Sequence, residues 1–134
     1  KVANCVFCEI ISGTSPASFY HKNEKFVVFE NNLHWYKVQL LLVPVNHMSQ
    51  DEMWSSTELI KELCMFANDI GKHECPDGYR IFSNFGDHGM QSQPHAHLQI
   101  LGGNHLGLYV MEDLHPRNIK KYSPEFVESE QILG

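Results

Sequence analysis

Gln91-Ser92-Gln93-Pro94-His95-Ala96-His97-Leu98-Gln99-Ile100-Leu101-Gly102-Gly103 is the stretch on which the reading of this chain turns. From Pro94 onward it alternates: His95, His97 and Gln99 share one parity, and Ala96, Leu98 and Ile100 share the other. A β-strand sends successive side chains to opposite faces, so the spacing predicts a strand with one apolar and one chemical face. Two strand residues span roughly 6.5–7 Å, which sets the three polar side chains in a row along one small ligand. Pro94 suits the start of that strand and Gly102-Gly103 its end. Two imidazoles and an amide in a row are expensive on a sheet that only needs packing, so the stretch is read as a functional site.

The rest of the chain must supply a core for this strand. Its 134 residues suffice for one domain and are too few for two comfortable ones. Hydrophobic residues make up 43% and charged residues 19%, an ordinary globular balance. The longest apolar run, Leu40-Leu41-Leu42-Val43, is strand-sized and far short of a membrane span. No charged head followed by an apolar stretch opens the sequence, so the expectation is a cytoplasmic protein without membrane association. With a formal net charge of -6 and no basic cluster beyond Lys120-Lys121, duplex nucleic acid is excluded as the expected partner. Nine histidines in an acidic domain point instead towards metal or phosphate chemistry.

Cys5 and Cys8 form a C-x-x-C pair, while Cys64 and Cys75 lie far away and apart. Without secretory context such a pair is half a zinc site or a redox dithiol. A thioredoxin-like site would open a helix after a strand, whereas this pair sits almost at the terminus. Zinc requires two further ligands, and without a second C-x-x-C these must be histidines brought in by the fold.

Along the chain, Phe7 to Ser12 reads as a helical turn stopped by Gly13, Ala17 to His21 as a brief strand, and Lys25 to Phe29 as a stronger one. Tyr36 to Val43 makes a long strand closed by Pro44, whose apolar second half predicts a central position covered on both faces. Ser49 and Glu52 stand at capping-box spacing and start a helix with a break around Ser55 to Thr57 and a stop at Gly71. Tyr79 to Asn84 is a further strand leading into the loop Phe85 to Gln93. The predicted architecture is α+β: a mainly antiparallel sheet of about five strands, one main helix and a short N-terminal helix. A core of about residues 5–103 carries a C-terminal extension, 104–134, of weak periodicity.

The loop Gly86 to Ser92 can turn backbone N–H groups and the Ser92 hydroxyl towards an anion beside His97. A neutral imidazole attacks phosphorus when its other nitrogen donates a hydrogen bond that fixes the tautomer. The competing chemistry is a metal held by His95 and His97 together, for which Gln99 is a poor third ligand.

The segment His95-Ala96-His97-Leu98-Gln99-Ile100-Leu101 resembles the signature of the histidine-triad superfamily, His-φ-His-φ-His-φ-φ with φ apolar, except that Gln99 replaces the last histidine. The resemblance runs from about Cys5 to Gly103. It takes in C-x-x-C followed by Glu9-Ile10-Ile11, the Leu-Leu-Val-Pro segment ending at His47, the Asn84-x-Gly86 pair and the Gly-x-Gln-Ser loop. It implies a nucleotide-binding hydrolase or nucleotidyltransferase acting at the α-phosphate of a dinucleoside polyphosphate or nucleoside phosphoramidate. His97 would be the nucleophile, forming a nucleotidyl-histidine with Ser92 and Gln99 assisting. Asn31 matches the ribose binder; Asn84, Gly89, Gln91 and Ser92 match phosphate-lining positions; Gln39 stands where relatives often carry a supporting histidine. Met90 occupies a position that is often glycine. A homodimer extending the sheet is implied as well.

Two implications stay open at this point. The branch with galactose-1-phosphate uridylyltransferase and the dinucleoside tetraphosphate phosphorylases looks similar in having His-x-His-x-Gln, which favours transfer to phosphate, whereas the chain length resembles the small hydrolases. A neutral glutamine neither protonates a leaving group nor activates water, so a zinc-stabilised nucleotide-binding protein with little turnover is the alternative. In zinc-containing relatives the C-x-x-C pair is completed by a histidine after the Leu-Leu-Val-Pro strand and by the first signature histidine. The resemblance therefore implies a structural Zn²⁺ on Cys5, Cys8, His47 and His95. His34, His73, His88, His105 and His115 receive no role.

Overall fold

A computed structural model describes residues 4–108. Most of the C-terminal extension, with His115 and Lys120-Lys121, therefore lies outside the described residues. The element order is α1 (Val6–Ser12), β1 (Phe19–Lys22), β2 (Phe26–Glu30), β3 (Val38–Pro44), α2 (Gln50–Ser55), α3 (Thr57–Glu74), β4 (Tyr79–Phe82) and β5 (Leu98–Gly102). The strands form one five-stranded sheet in the order β1-β2-β3-β5-β4, and every neighbouring pair is antiparallel. The α+β class is as the pattern predicts, and β3 lies at the centre.

Its near-continuous apolar run is explained by two layers. On one face Leu40 and Leu42 join Val28, Leu98 and Ile100 beneath Met53 of α2 and Leu63, Ala67 and Ile70 of α3. On the other, Leu41 and Val43 join Val27 and Phe29 beneath Phe7, Cys8 and Ile10 of α1. A strand buried on both sides cannot alternate polar and apolar residues, which is why periodicity vanishes there.

Local signals set the helix ends. Ser49 accepts the Glu52 N–H at 3.1 Å while Glu52 accepts the Ser49 N–H at 2.9 Å, a complete capping box. Ser56 breaks the helix between α2 and α3, at the predicted place. Gly13 closes α1 in the left-handed conformation, φ 87°.

Two expectations need correction. Helix α3 does not stop at Gly71 but runs to Glu74. Gly71 is there for close approach: a Cβ at this position would sit 2.3 Å from the ring of Tyr79, whose hydroxyl donates to the Asn68 side chain on the same helix. The strand predicted from Pro94 begins only at Leu98. The Ala96 N–H is taken by the Met48 carbonyl at 2.8 Å and the His97 N–H by the Gln50 side chain at 3.0 Å, so neither joins a ladder. The alternation survives without the ladder, since Ala96 packs with Leu98 and Ile100.

Replacing Gly71 with Ala should test the close approach. Propensity alone favours Ala in a helix by about 1 kcal/mol, but the clash with Tyr79 should reverse the sign. Urea unfolding should show Gly71→Ala destabilised by about 1–3 kcal/mol, with part of the loss restored in the Gly71→Ala/Tyr79→Leu double variant.

Candidate functional site

Two clusters of chemistry flank the segment His95–His97. The first is built on α1. Cys5 is its N-cap residue, and its Sγ accepts the Cys8 N–H at 3.4 Å, so the helix start turns both thiols the same way. His95 Nδ1 lies 3.5 Å from each thiol, and His47 Nδ1 lies 3.5 Å from Cys8 Sγ. All four donor atoms fall within 4.8 Å of one another. His95 is wholly buried, and its Nε2 is 2.8 Å from the Pro44 carbonyl. A carbonyl only accepts, so Nε2 carries the proton and the Nδ1 lone pair faces the thiols. Burial pushes the His95 pKa down and the Cys5 thiol up, as expected for donors withdrawn from water. Imidazole nitrogens and thiols converging at this spacing are metal-ligand chemistry. Among the described residues this cluster holds no disulfide.

The second cluster is a cavity of about 650 Å³ on the α1 face of the sheet. His97 and Gln99 lie at its floor beside Leu41; Phe7, Val6, Ile10 and Phe29 form an apolar wall; Asn31, Asn32, His34 and Glu30 form a polar end; Ser92 and Gln93 close another side. His97 Nδ1–H donates to the His95 carbonyl at 2.9 Å. That bond assigns the tautomer and leaves the Nε2 lone pair available. Burial holds the His97 pKa below the ordinary imidazole range, opposed in part by the same hydrogen bond, so the ring favours its neutral, nucleophilic form.

Phe7 joins the clusters. It stands between the two cysteines, and its ring meets His97 edge-on at a centroid distance of 5.2 Å, His95 at 5.8 Å and Phe29 at 5.6 Å. The same side chain thus packs on one edge of the cysteine–histidine cluster and walls the cavity.

The remaining candidates are placed as follows. Asn31 lines the cavity, its Oδ1 accepting the Leu33 N–H at 2.9 Å. Ser92 lines it as well. Gln39 points elsewhere: its Oε1 accepts the Trp35 and Tyr36 N–H groups and braces the turn before β3. Asn84 offers its carbonyl to Gln50 Nε2 at 2.9 Å. Gln91 folds back to accept the Gly86 N–H and donate to the Gln93 carbonyl, shaping the loop internally. Gly89 packs against the Phe85 backbone, where a Cβ would lie 2.3 Å from its oxygen, and Met90 is held at φ 62°, the region glycine prefers. These contacts of Asn84, Gly89 and Gln91 lie within or beside the loop, and His95 is turned to the cysteines while His97 faces the cavity.

Sequence reasoning passed over Phe7, His34 and Gln50. For Phe7 a signal existed, an aromatic residue inside C-x-x-C beside a predicted helix; for the other two there was none.

Comparison with known proteins agrees with this geometry. The family model described as scavenger mRNA decapping enzyme, C-term binding, matches residues 4–115. The chain belongs to the histidine-triad superfamily. An uncharacterised HIT-like protein of Chlamydia muridarum is 32% identical over 108 residues, covering 76% of this chain and 83% of that protein. The purine nucleoside phosphoramidase of Escherichia coli is 27% identical over 108 residues, 76% of this chain and 89% of that protein. The structure of a HIT family hydrolase from Clostridium thermocellum superposes with a TM-score of 0.74 at 25% identity, over 83% of this chain and 100% of that one. Among the described residues no helix is long and apolar enough to cross a membrane.

Because Phe7 holds three aromatic contacts and a cavity wall, Phe7→Ala should lower the free energy of unfolding by about 3–5 kcal/mol, measured by urea titration. A loss below about 1 kcal/mol would show that α1 is not anchored through this ring.

Proposed function

We propose that the protein is a nucleotide-processing enzyme in which His97 attacks the α-phosphorus of a nucleoside phosphoramidate or dinucleoside polyphosphate. The observation that carries this reading is the Nδ1–H bond from His97 to the His95 carbonyl, at the floor of a cavity large enough for a nucleoside. The relatives support the class of chemistry: one acts on purine nucleoside phosphoramidates and another is a family hydrolase.

In the first step the Nε2 lone pair forms the P–N bond while the bond to the leaving group breaks; that group departs with the electron pair, an amine taking its proton from solvent and a polyphosphate leaving as the anion. In the second, water, which gives up a proton to solvent, or inorganic phosphate attacks the same phosphorus, the P–N bond breaks, and the pair returns to Nε2. The apolar wall of Phe7, Ile10 and Phe29 suits a base, and the polar end at Asn31 suits a ribose. Ser92 is assigned a hydrogen bond to phosphate. Gln99 donates to a phosphoryl oxygen without exchanging a proton. It therefore leaves water unactivated and favours transfer to an acceptor that is already a nucleophilic anion. A homodimer joined through an edge strand such as β4 belongs to the same proposal.

Zinc is proposed for the four-donor cluster. With Zn–S of about 2.3 Å and Zn–N of about 2.0–2.1 Å, a tetrahedral ion sets sulfur and nitrogen about 3.5 Å apart. The three N···S contacts have that length. When bound, the ion is a structural clamp: Cys5 and Cys8 bring α1, His47 the end of the β3 connection, and His95 the segment that ends in His97.

Two measurements test these statements. Rapid mixing with an adenylyl phosphoramidate followed by intact mass should reveal a nucleotidyl adduct that is absent in His97→Ala, with turnover in that variant reduced at least about 10³-fold. Nucleotide binding without adduct or product would instead assign the protein to binding with little turnover. Elemental analysis should find about one zinc per chain, and Cys8→Ser should remove it and lower Tm; retention of zinc in that variant would break the proposed ligand set.

A further inference from the structure

The residue the site depends on is held in an unusual way. The first residue of β5 paired to β3 is Leu98, opposite Leu42, and the first paired to β4 is Gln99, opposite Phe82. His97 therefore lies one residue beyond the ladder, and neither its N–H nor its C=O is fixed by the sheet. Two side chains replace it. The N–H donates to Gln50 Oε1 at 3.0 Å, and the carbonyl accepts from Ser83 Oγ at 2.8 Å. Gln50 is only 3% exposed and uses both ends of its amide, since Nε2 donates to the Asn84 carbonyl at 2.9 Å. Ser83 is in turn the acceptor of Trp54 Nε1–H at 3.0 Å.

Gln50 and Trp54 belong to the same helix, four positions apart, and so lie on one face of α2 a turn apart. This short helix is itself locked by the Ser49–Glu52 capping box. It presents a clamp closing on both backbone groups of His97, and through Asn84 on the start of the loop that reaches Ser92. A buried amide suits the task. It offers an acceptor and a donor in one rigid plane without the desolvation penalty of a charge.

We infer that Gln50 is a positioning residue: by bridging the His97 N–H to the Asn84 carbonyl, with Ser83 on the His97 carbonyl, it sets the imidazole and the phosphate-side loop in fixed relation. The inference rests on His97 being the nucleophile proposed above. Its effect belongs to the geometry of attack rather than to binding, because Gln50 does not line the cavity. Misplacement of a reacting atom by about 1 Å is worth roughly 100-fold in rate.

The test compares wild type, Gln50→Leu and Ser83→Ala, each as the full chain. Pre-steady-state adduct formation with the adenylyl phosphoramidate should slow about 10- to 100-fold in Gln50→Leu, and in the same direction but less in Ser83→Ala. The Kd for adenosine monophosphate should change less than about threefold, since no cavity contact is lost. Without any substrate, ¹⁵N NMR of the His97 ring should move from a single Nδ1–H tautomer towards a mixture. That ring signal reads Gln50 independently of chemistry, so absence of an adduct in wild type would sink the proposed function and leave the positioning role decided by the NMR. An unchanged ring signal together with an unchanged rate overturns the inference. So does a proportional loss of rate and nucleotide affinity accompanied by a lower Tm in both variants, which would make Gln50 a structural residue only. If Gln50→Leu does not fold, Ser83→Ala carries the same two readouts.

Discussion

The hydrogen bond from His95 Nε2–H to the Pro44 carbonyl decides most of what the functional half of this molecule can do. It fixes the tautomer of a wholly buried ring and turns its Nδ1 lone pair onto Cys5 and Cys8. It also ties the segment before β5 to the end of β3, the central strand. The backbone carbonyl of the same residue then accepts His97 Nδ1–H. One histidine thus orients the Cys5–Cys8–His47 cluster with its side chain and the nucleophile candidate with its main chain.

Around that bond the sheet separates labour. Its helix-covered face is packing: Leu42, Leu98 and Ile100 are fully buried beneath α2 and α3. The α1 face carries chemistry, and α1 is too short to hold itself on the sheet by propensity. Phe7 and the cysteines hold it there, which explains why an aromatic side chain packs simultaneously against both histidines. The helix-covered face contributes to the site indirectly, through the α2 side chains that reach the His97 backbone.

Much of this was legible in the residues. The capping box, the break near Ser56 and the centrality of β3 all follow from local chemistry or from an apolar run, and those signals are short-range. The errors were also physical. Gly71 reads as a helix stop because glycine commonly ends helices, yet here it admits the Tyr79 ring, a contact with a residue outside the helix. Pro94 reads as the start of a strand because the alternation begins there, yet the N–H groups of Ala96 and His97 bond to Met48 and Gln50, which no periodicity reports. Gln39, Asn84, Gly89 and Gln91 are matched by motif to a ligand site; in the fold the Gln39 and Gln91 side chains satisfy backbone groups in or beside loops, the Asn84 carbonyl accepts from Gln50, and Gly89 packs against the Phe85 backbone, contacts that no motif reports.

By itself the sequence determined the class of the fold and, through its resemblance to the histidine-triad superfamily, singled out Cys5, Cys8, His47 and His95, whose donor atoms lie within 4.8 Å of one another. Fold class and motif depend on residue type, parity and short spacings, which a linear string records. Tertiary structure alone decided which nitrogen of each histidine is free, that Phe7 spans the two clusters, and that Gln50 and Ser83 hold a residue the sheet leaves unpaired. Apart from the bond between His97 and the His95 carbonyl, these are contacts between positions distant in the chain, fixed by how the elements dock rather than by any local preference.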